Sequence, residues 1–184
     1  MVETASTMLP LGTQAPDFEL LDTVTNEPLA LSNLKSDQAT VIMFICNHCP
    51  YVVHISDKLV ELAKEYQQKG VNFIAISSND VVTHPADSPN KMSTHAKDNG
   101  FTFPYLYDET QEVAKAYKAA CTPDFYIFDG ELKCAYRGRF DGATPKNNVP
   151  VTGDELRQAL DNILTGKPVS DDQKPSLGCN IKWK

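Results

Sequence analysis

The stretch FICNHCPYV carries the residues most able to do chemistry. Cys46 and Cys49 stand three positions apart, His48 precedes the second cysteine, and Pro50 follows it. Two thiols at this spacing can close a disulfide, because the second sulfur can reach back to the first. Two thiols beside a histidine can also bind a metal ion such as zinc. The segment therefore indicates redox chemistry, metal binding or plain core packing, and the elements around it bear on the choice.

A buried strand and a helix are predicted on either side of the pair. Residues 40–45, TVIMFI, form a continuous apolar run rich in β-branched residues, which is typical of a strand buried on both faces. Helical spacing follows in the apolar residues Ile55, Leu59, Leu62 and Tyr66. Pro50 is compatible with the first helical turn, whose amides lack helical partners. Cys46 is thus expected at the end of the strand and Cys49 at the start of the helix.

This placement predicts an acidic thiol at Cys46. Free backbone N–H groups and the helix dipole at a helix start favour negative charge, and thiolate is the species that attacks disulfides. We predict a lowered pKa for Cys46, which acts as the nucleophile, and a resolving role for Cys49. His48, when partly protonated, stabilises the thiolate and makes the couple more oxidising.

Two other interpretations of the pair remain open from the residues. In the first, both cysteines are packing residues at a helix start, since cysteine is often buried. A metal site would use Cys46 and Cys49 with His48 or His54, and Cys121 as a further ligand. Zinc sites usually supply a second ligand pair at defined spacing, and the sequence offers none. The redox interpretation is favoured because the pair lies at a strand-to-helix junction.

The rest of the chain predicts an α/β sandwich with a mixed sheet. Residues 71–77 read as a second buried strand, so a strand–helix–strand crossover and parallel pairing are expected. The other predicted elements are strands at 18–21 and 28–31, a helix at 91–99, a helix capped by Asp108 and running to about 119, a hairpin of 125–128 and 133–138, and a helix capped at Thr152. Residues 1–184 are expected to form one domain, with a core at 12–166 and a tail at 167–184.

Composition and charge exclude several classes of function. The chain has 184 residues, a net charge of −7 and no basic patch, which argues against nucleic-acid binding. No stretch is long and apolar enough to predict a membrane span, and residues 1–10 lack the features of a secretory signal. We therefore expect a cytoplasmic protein. Five cysteines, an odd number, argue against a disulfide-stapled scaffold.

Several segments resemble one family. GTQAPDFELLD, CNHCPY, TPDFYIFDGELKCAYRGR and PSLGCNIKWK are similar to the thioredoxin superfamily, specifically to its peroxiredoxin-like, AhpC/TSA-related branch with a C-x-x-C motif. The resemblance runs from about Gly12 to the end. It implies a thioredoxin-like three-layer sandwich with peroxiredoxin-like N-terminal strands. It also implies that Pro123, preceded by Thr122, is a cis-proline lying against the redox pair.

The departures from the family are informative. With Cys49 aligned to the peroxide-reactive cysteine of peroxiredoxins, Ile42 and Cys46 stand where the family has a proline and a threonine. Pro123 stands where it has an arginine. That threonine and arginine hold and polarise the peroxide, so their absence argues against peroxidase activity.

These inferences together predict a thiol–disulfide oxidoreductase. Cys46 attacks, Cys49 resolves, His48 and Pro123 assist, and no cofactor is required. The expected partners are a disulfide-containing protein or a small thiol, and a dithiol reductase; no oligomeric state is indicated. The alternatives are a thiol peroxidase and a copper- or zinc-binding module.

The remaining polar candidates have weaker interpretations. Cys121 is either a third redox partner or a buried thiol. Cys179 could be a resolving cysteine in a tail that folds back over the site, although a plain terminal thiol is favoured. Cys134 is expected to be a packing residue, and Arg137 to belong to a surface ion-pair group with its neighbours.

Overall fold

A seven-stranded mixed sheet and a small three-stranded sheet organise the chain. The computed structural model describes residues 2–184. The strands are β1 Glu3–Ala5, β2 Glu19–Asp22, β3 Pro28–Ala30, β4 Ala39–Phe44, β5 Val71–Ser77, β6 Tyr105–Tyr107, β7 Cys121–Thr122, β8 Asp124–Asp129, β9 Cys134–Gly138 and β10 Leu177–Asn180. The helices are α1 Leu31–Leu34, α2 Pro50–Gln67, α3 Pro89–Asp98, α4 Glu112–Ala116 and α5 Asp154–Leu164.

The large sheet has the order β3-β2-β6-β5-β4-β8-β9. β4 and β5 are parallel and are joined through α2, as the crossover pattern predicted. β8 lies antiparallel on the other side of β4 and forms the predicted hairpin with β9. The central strand β4 is therefore hydrogen-bonded on both edges, which suits its buried, β-branched sequence.

Helices cover both faces of the large sheet. Along β4 the side chains alternate, so Met43 packs in the same core as Leu59 of α2 and Leu156 of α5. Phe44 points to the opposite core, which contains Leu31 of α1 and Ala114 of α4. This arrangement confirms the predicted α/β sandwich with a mixed central sheet.

The small sheet brings the end of the chain back to its middle. Its order is β1-β10-β7, and both pairings are antiparallel. Cys179 lies opposite Thr122, and Gly178 lies opposite Thr4. The sequence analysis missed β1, β6, β7 and β10, because strands of two to four residues carry too little alternation to be recognised.

Three helix starts differ from the predictions. α3 begins two residues early, at Pro89. α4 begins only at Glu112, although the Asp108 carboxylate accepts hydrogen bonds from backbone N–H groups of its first turn, including that of Ala114 at 2.9 Å. Gly153, and not Thr152, caps α5 with a φ of 69°. A cap residue with a left-handed backbone conformation favours glycine. The capping-box spacing that pointed to Thr152 gives no information about this backbone conformation.

The expectation that Arg137 belongs to a surface ion-pair group is wrong. Its side chain is fully buried and donates to both carboxylate oxygens of Asp124, at 3.1 and 2.7 Å. Arg137 pairs across the hairpin with Tyr126, and its guanidinium lies 4.2 Å from the centre of that ring. The strand register therefore directs the arginine into the interior, where Asp124 balances its charge.

We predict that Arg137→Met lowers the free energy of unfolding by about 3–5 kcal/mol, because it leaves the buried Asp124 carboxylate unpaired. Urea unfolding measures the loss. Arg157→Met is the matched control, since Arg157 and its partner Glu65 are both partly exposed, and we expect a loss below about 1 kcal/mol. Equal losses of unfolding free energy in the two variants would contradict the assignment of Arg137 and Asp124 as a buried ion pair.

Candidate functional site

The two cysteines of the CNHC segment lie at the predicted junction. β4 ends at Phe44, and Cys49 is the N-cap residue of α2, with Pro50 in the first turn. The Cys49 carbonyl accepts the first helical hydrogen bonds, including one of 2.9 Å from Val53 N–H. The open end of α2 therefore faces the loop that carries Cys46, as the sequence indicated.

Both sulfurs lie against Thr122. The Cys46 sulfur is 3.6 Å from the Thr122 hydroxyl oxygen, and the Cys49 sulfur is 3.4 Å from the Thr122 carbonyl oxygen. The peptide bond from Thr122 to Pro123 is cis. The fold thus brings Cys46, Cys49, Thr122 and Pro123 together, and their roles in catalysis remain predictions.

The disulfide in the structure joins Cys49 to Cys179, which corrects the expectation of a plain terminal thiol at Cys179. An exchangeable Cys46–Cys49 disulfide stays a prediction. Pairing of β10 with β7 places Cys179 beside Thr122, and its Cα is 6.2 Å from that of Cys49. The bonded residues are 130 positions apart, so no local sequence pattern predicts the disulfide. Cys46 remains a free thiol.

The predicted low pKa of Cys46 is also wrong for this state of the protein. Burial, followed by the negative charge of Asp87, raises the pKa of the Cys46 thiol to about 11. Hydrogen bonds from Thr122 and from the backbone N–H groups of Cys49 and His48 act in the opposite direction. The helix-start amides are therefore present as predicted, and they lower the pKa of Cys46. Desolvation raises this pKa by more, because Cys46 is only 1% exposed.

Asp87 is the site residue that the sequence analysis missed. It is fully buried, and its carboxylate accepts hydrogen bonds from Asn47 N–H at 2.8 Å and from the Asn79 side chain at 2.9 Å. His48 Nδ1 lies 2.8 Å from the same carboxylate. The His84 ring stacks on the His48 ring with 5.9 Å between centres. Asp87 ends the short 3₁₀ helix Pro85–Asp87, and the sequence around it is a polar stretch in which an aspartate usually signals a turn.

The other two free cysteines are buried without a disulfide. Cys121 has its sulfur 3.8 Å from the Pro123 carbonyl oxygen, and burial raises its pKa. The Cys134 sulfur is 3.6 Å from the Tyr136 carbonyl oxygen. Their burial supports packing roles, and a redox role for Cys121 stays a prediction. His54 is exposed on α2.

A surface cavity of about 200 Å³ adjoins the disulfide. Pro50, Tyr51, Gly178 and Cys179 line it, with Lys146 among the polar lining residues. All three cysteines of the site are nevertheless almost fully buried. A protein partner therefore cannot contact a sulfur directly in this state.

Comparison with solved structures identifies the fold of the chain, and comparison with family models identifies its family. The thioredoxin domain of a thiol–disulfide oxidoreductase from Bacteroides vulgatus has a TM-score of 0.63, at 13% identity, over 83% of this chain and 99% of that one. The fold is thus thioredoxin-like. Residues 11–137 match the model of the AhpC/TSA family, and the chain belongs to that family.

Two solved structures are similar over the whole chain. An uncharacterized conserved protein from Geobacillus kaustophilus is 58% identical, with a TM-score of 0.98 over 100% of this chain and 97% of that one. A hypothetical protein from Sinorhizobium meliloti 1021 is 44% identical, with a TM-score of 0.96 over 98% of each chain. Comparison with curated proteins gives no match. No helix within residues 2–184 is long and apolar enough to cross a membrane.

We predict that Cys46 in the disulfide-bonded protein reacts with iodoacetamide at a rate that still rises about tenfold per pH unit at pH 9, because its thiolate fraction grows until the pKa is reached. Mass spectrometry of the labelled Cys46 peptide gives the rate. A Cys-containing unfolded peptide is the control, whose rate is half-maximal near pH 8.5, the ordinary pKa of cysteine, and levels off about one pH unit higher. A Cys46 rate that is half-maximal at or below about pH 8.5 would contradict the raised pKa.

We predict that Gly178→Ala displaces β10 and reduces formation of the Cys49–Cys179 disulfide, because an added Cβ would overlap the Thr122 carbonyl oxygen. The expected loss of stability is about 1–3 kcal/mol, as for other overpacked sites. Gly142→Ala is the control, since its nearest neighbour would be 3.6 Å away. Disulfide mapping and thermal unfolding measure both effects, and an intact disulfide at full stability in Gly178→Ala would refute the close approach.

Proposed function

We propose that the protein is a thiol–disulfide oxidoreductase in which Cys46, Cys49 and Cys179 exchange one disulfide. The observation that carries the proposal is the Cys49–Cys179 disulfide beside the free Cys46 thiol, with the sulfurs of Cys46 and Cys49 both in contact with Thr122. Membership of the AhpC/TSA family supports thiol redox chemistry.

The first step is an exchange within the chain. The Cys46 thiol loses its proton as its sulfur attacks the Cys49 sulfur, the Cys49–Cys179 bond breaks, and Cys179 leaves as a thiolate that takes up a proton in turn. One disulfide is lost and one is formed, so no external oxidant is needed. The step frees β10 from its covalent tether. Because all three sulfurs are buried beforehand, this exchange precedes contact with a partner.

The second step transfers two electrons to or from a partner. A thiolate of a dithiol partner attacks Cys46 in the Cys46–Cys49 disulfide and releases Cys49; the partner's second thiol then resolves the mixed disulfide. The partner leaves oxidised, and Cys46, Cys49 and Cys179 are then all thiols. In the reverse direction, Cys46 attacks a substrate disulfide and Cys49 resolves it, which are the roles predicted from the sequence. A disulfide-containing protein or a small thiol fits either direction, with a dithiol reductase as the electron donor.

A thiol peroxidase is the second candidate, and the Cys49–Cys179 bond is the observation in its favour. A Cys49 thiolate would attack a hydroperoxide, giving Cys49 sulfenic acid and an alcohol or water. Condensation with the Cys179 thiol would release water and form the observed disulfide. Against it, Cys46 and Pro123 occupy the positions where the resemblance to peroxiredoxins requires a threonine and an arginine. The cytoplasmic location expected from the sequence stays a prediction.

Single cysteine variants separate the two functions. We predict that Cys46→Ser abolishes reduction of insulin disulfides, that Cys49→Ser accumulates mixed disulfides on Cys46, and that Cys179→Ser retains exchange with a Cys46–Cys49 disulfide. Turnover assays and mass mapping of the disulfides give these results. Cys134→Ser, at a buried packing position, is the matched control and keeps full activity.

The opposite pattern supports the peroxidase. Two results together would overturn the oxidoreductase assignment. The first is steady consumption of hydroperoxide that requires Cys49 and Cys179 but continues in Cys46→Ser, and the second is the lack of insulin reduction by the unaltered protein.

A further inference from the structure

Three different kinds of metal-binding side chain converge beside the disulfide. The Cys46 sulfur, an imidazole nitrogen of His48 and a carboxylate oxygen of Asp87 all lie within 4.8 Å of one another. Two of these residues belong to the CNHC loop, and the third ends the short 3₁₀ helix Pro85–Asp87 that follows β5. Ligand atoms around one ion lie at such separations, because each is about 2.0–2.3 Å from a bound zinc.

We propose that Cys46, His48 and Asp87 form a binding site for a borderline-soft divalent transition-metal ion, of which Zn²⁺ is the representative. A thiolate, a neutral imidazole and a carboxylate supply sulfur, nitrogen and oxygen, a set that suits zinc and disfavours Mg²⁺ and Ca²⁺. Their two negative charges balance the ion, so the buried complex is neutral. Three protein ligands leave a coordination position for water or an external group.

This donor set differs from the one that the sequence suggested. The sequence-based alternative relied on Cys49, whose sulfur is committed to the disulfide with Cys179. Asp87 takes its place and was not recognised from the sequence. His54 is exposed on α2 and is not a member of the cluster.

The charge on Asp87 is a second observation that favours a cation. Its side chain is completely buried, and among residues 2–184 the ion pairs give it His48 but no lysine or arginine. A buried carboxylate without a full positive partner is costly. A divalent ion between Asp87 and Cys46 would remove that cost.

The ligands are also held in place by surrounding groups. Asn47 and Asn79 donate to the Asp87 carboxylate, and Asn79 in turn accepts a hydrogen bond of 2.9 Å from the backbone N–H of Lys182. Such partners orient ligands and strengthen metal binding. The His48 side chain is 28% exposed, which provides a route for the ion.

The test uses the full chain with the Cys49–Cys179 disulfide intact and with Cys121→Ser and Cys134→Ser, so that Cys46 is the remaining thiol. Co²⁺ serves as the spectroscopic probe and Zn²⁺ as the ion for affinity measurement by chelator competition. We expect one ion per chain and a sulfur-to-cobalt charge-transfer band that disappears in Cys46→Ser. Excess Mg²⁺ is expected not to displace the ion.

Variants of the other two ligands decide the proposal. His48→Gln and Asp87→Asn are each expected to weaken Zn²⁺ binding at least about tenfold, since loss of even a supporting partner costs roughly 10–100-fold. His54→Gln is the matched control and keeps the full affinity. Circular dichroism and disulfide mapping check that each variant is folded; if Asp87→Asn is not, His48→Gln decides.

The proposal fails if His48→Gln binds Zn²⁺ as tightly as the parent, if His54→Gln weakens binding equally, or if no sulfur-to-cobalt band forms. In that case His48 and Asp87 form only an ion pair. The measurement involves no turnover, so its failure leaves the oxidoreductase proposal standing, and failure of that proposal leaves the metal site standing.

Discussion

The antiparallel pairing of β10 with Thr122 is the constraint on which the site depends. It carries Cys179 from the end of the chain to Cys49, and it requires glycine at position 178 because the two backbones approach so closely. A cross-link between residues 130 apart removes much conformational freedom from the unfolded chain, worth about 4–5 kcal/mol in the loop-entropy description. The same segment continues to Lys182, whose backbone fixes Asn79 and through it Asp87. One terminal strand therefore organises both the disulfide and the polar cluster beside it.

The properties of Cys46 follow from competing electrostatic effects. Helix-start amides stabilise a thiolate, but each contributes only a partial charge. Removal of the sulfur from water and the nearby Asp87 carboxylate act in the other direction and prevail, so the pKa is about 11. Both opposing effects reflect where this structure places the sulfur, which is buried and lies close to Asp87. In this form Cys46 is therefore a protonated thiol at neutral pH.

Local patterns account for the part of the structure that the sequence could predict. The apolar run of β4, the helical spacing of α2 and the hairpin at Asp129 each reflect neighbours along the chain, and these elements alone place Cys46 and Cys49 at their junction. The cis peptide before Pro123 was predicted only through the family resemblance. The Cys49–Cys179 bond and the inward orientation of Arg137 depend on residues distant in sequence. Asp87 was missed for another reason, because the sequence gives no measure of how deeply a loop residue is buried.

The identity of residue 46 bears most directly on the choice between the two candidate reactions. A peroxidase that forms the Cys49–Cys179 disulfide needs no sulfur at position 46, and the resemblance to peroxiredoxins implies a threonine there. In this chain, Cys46 contacts the hydroxyl of Thr122 and lies beside a disulfide that another thiol can open. The substitution thus replaces a group that would hold a peroxide with one that can attack sulfur. A third thiol at this point has a direct chemical use in disulfide exchange and in the proposed metal site, whereas peroxide reduction through Cys49 and Cys179 does not need it.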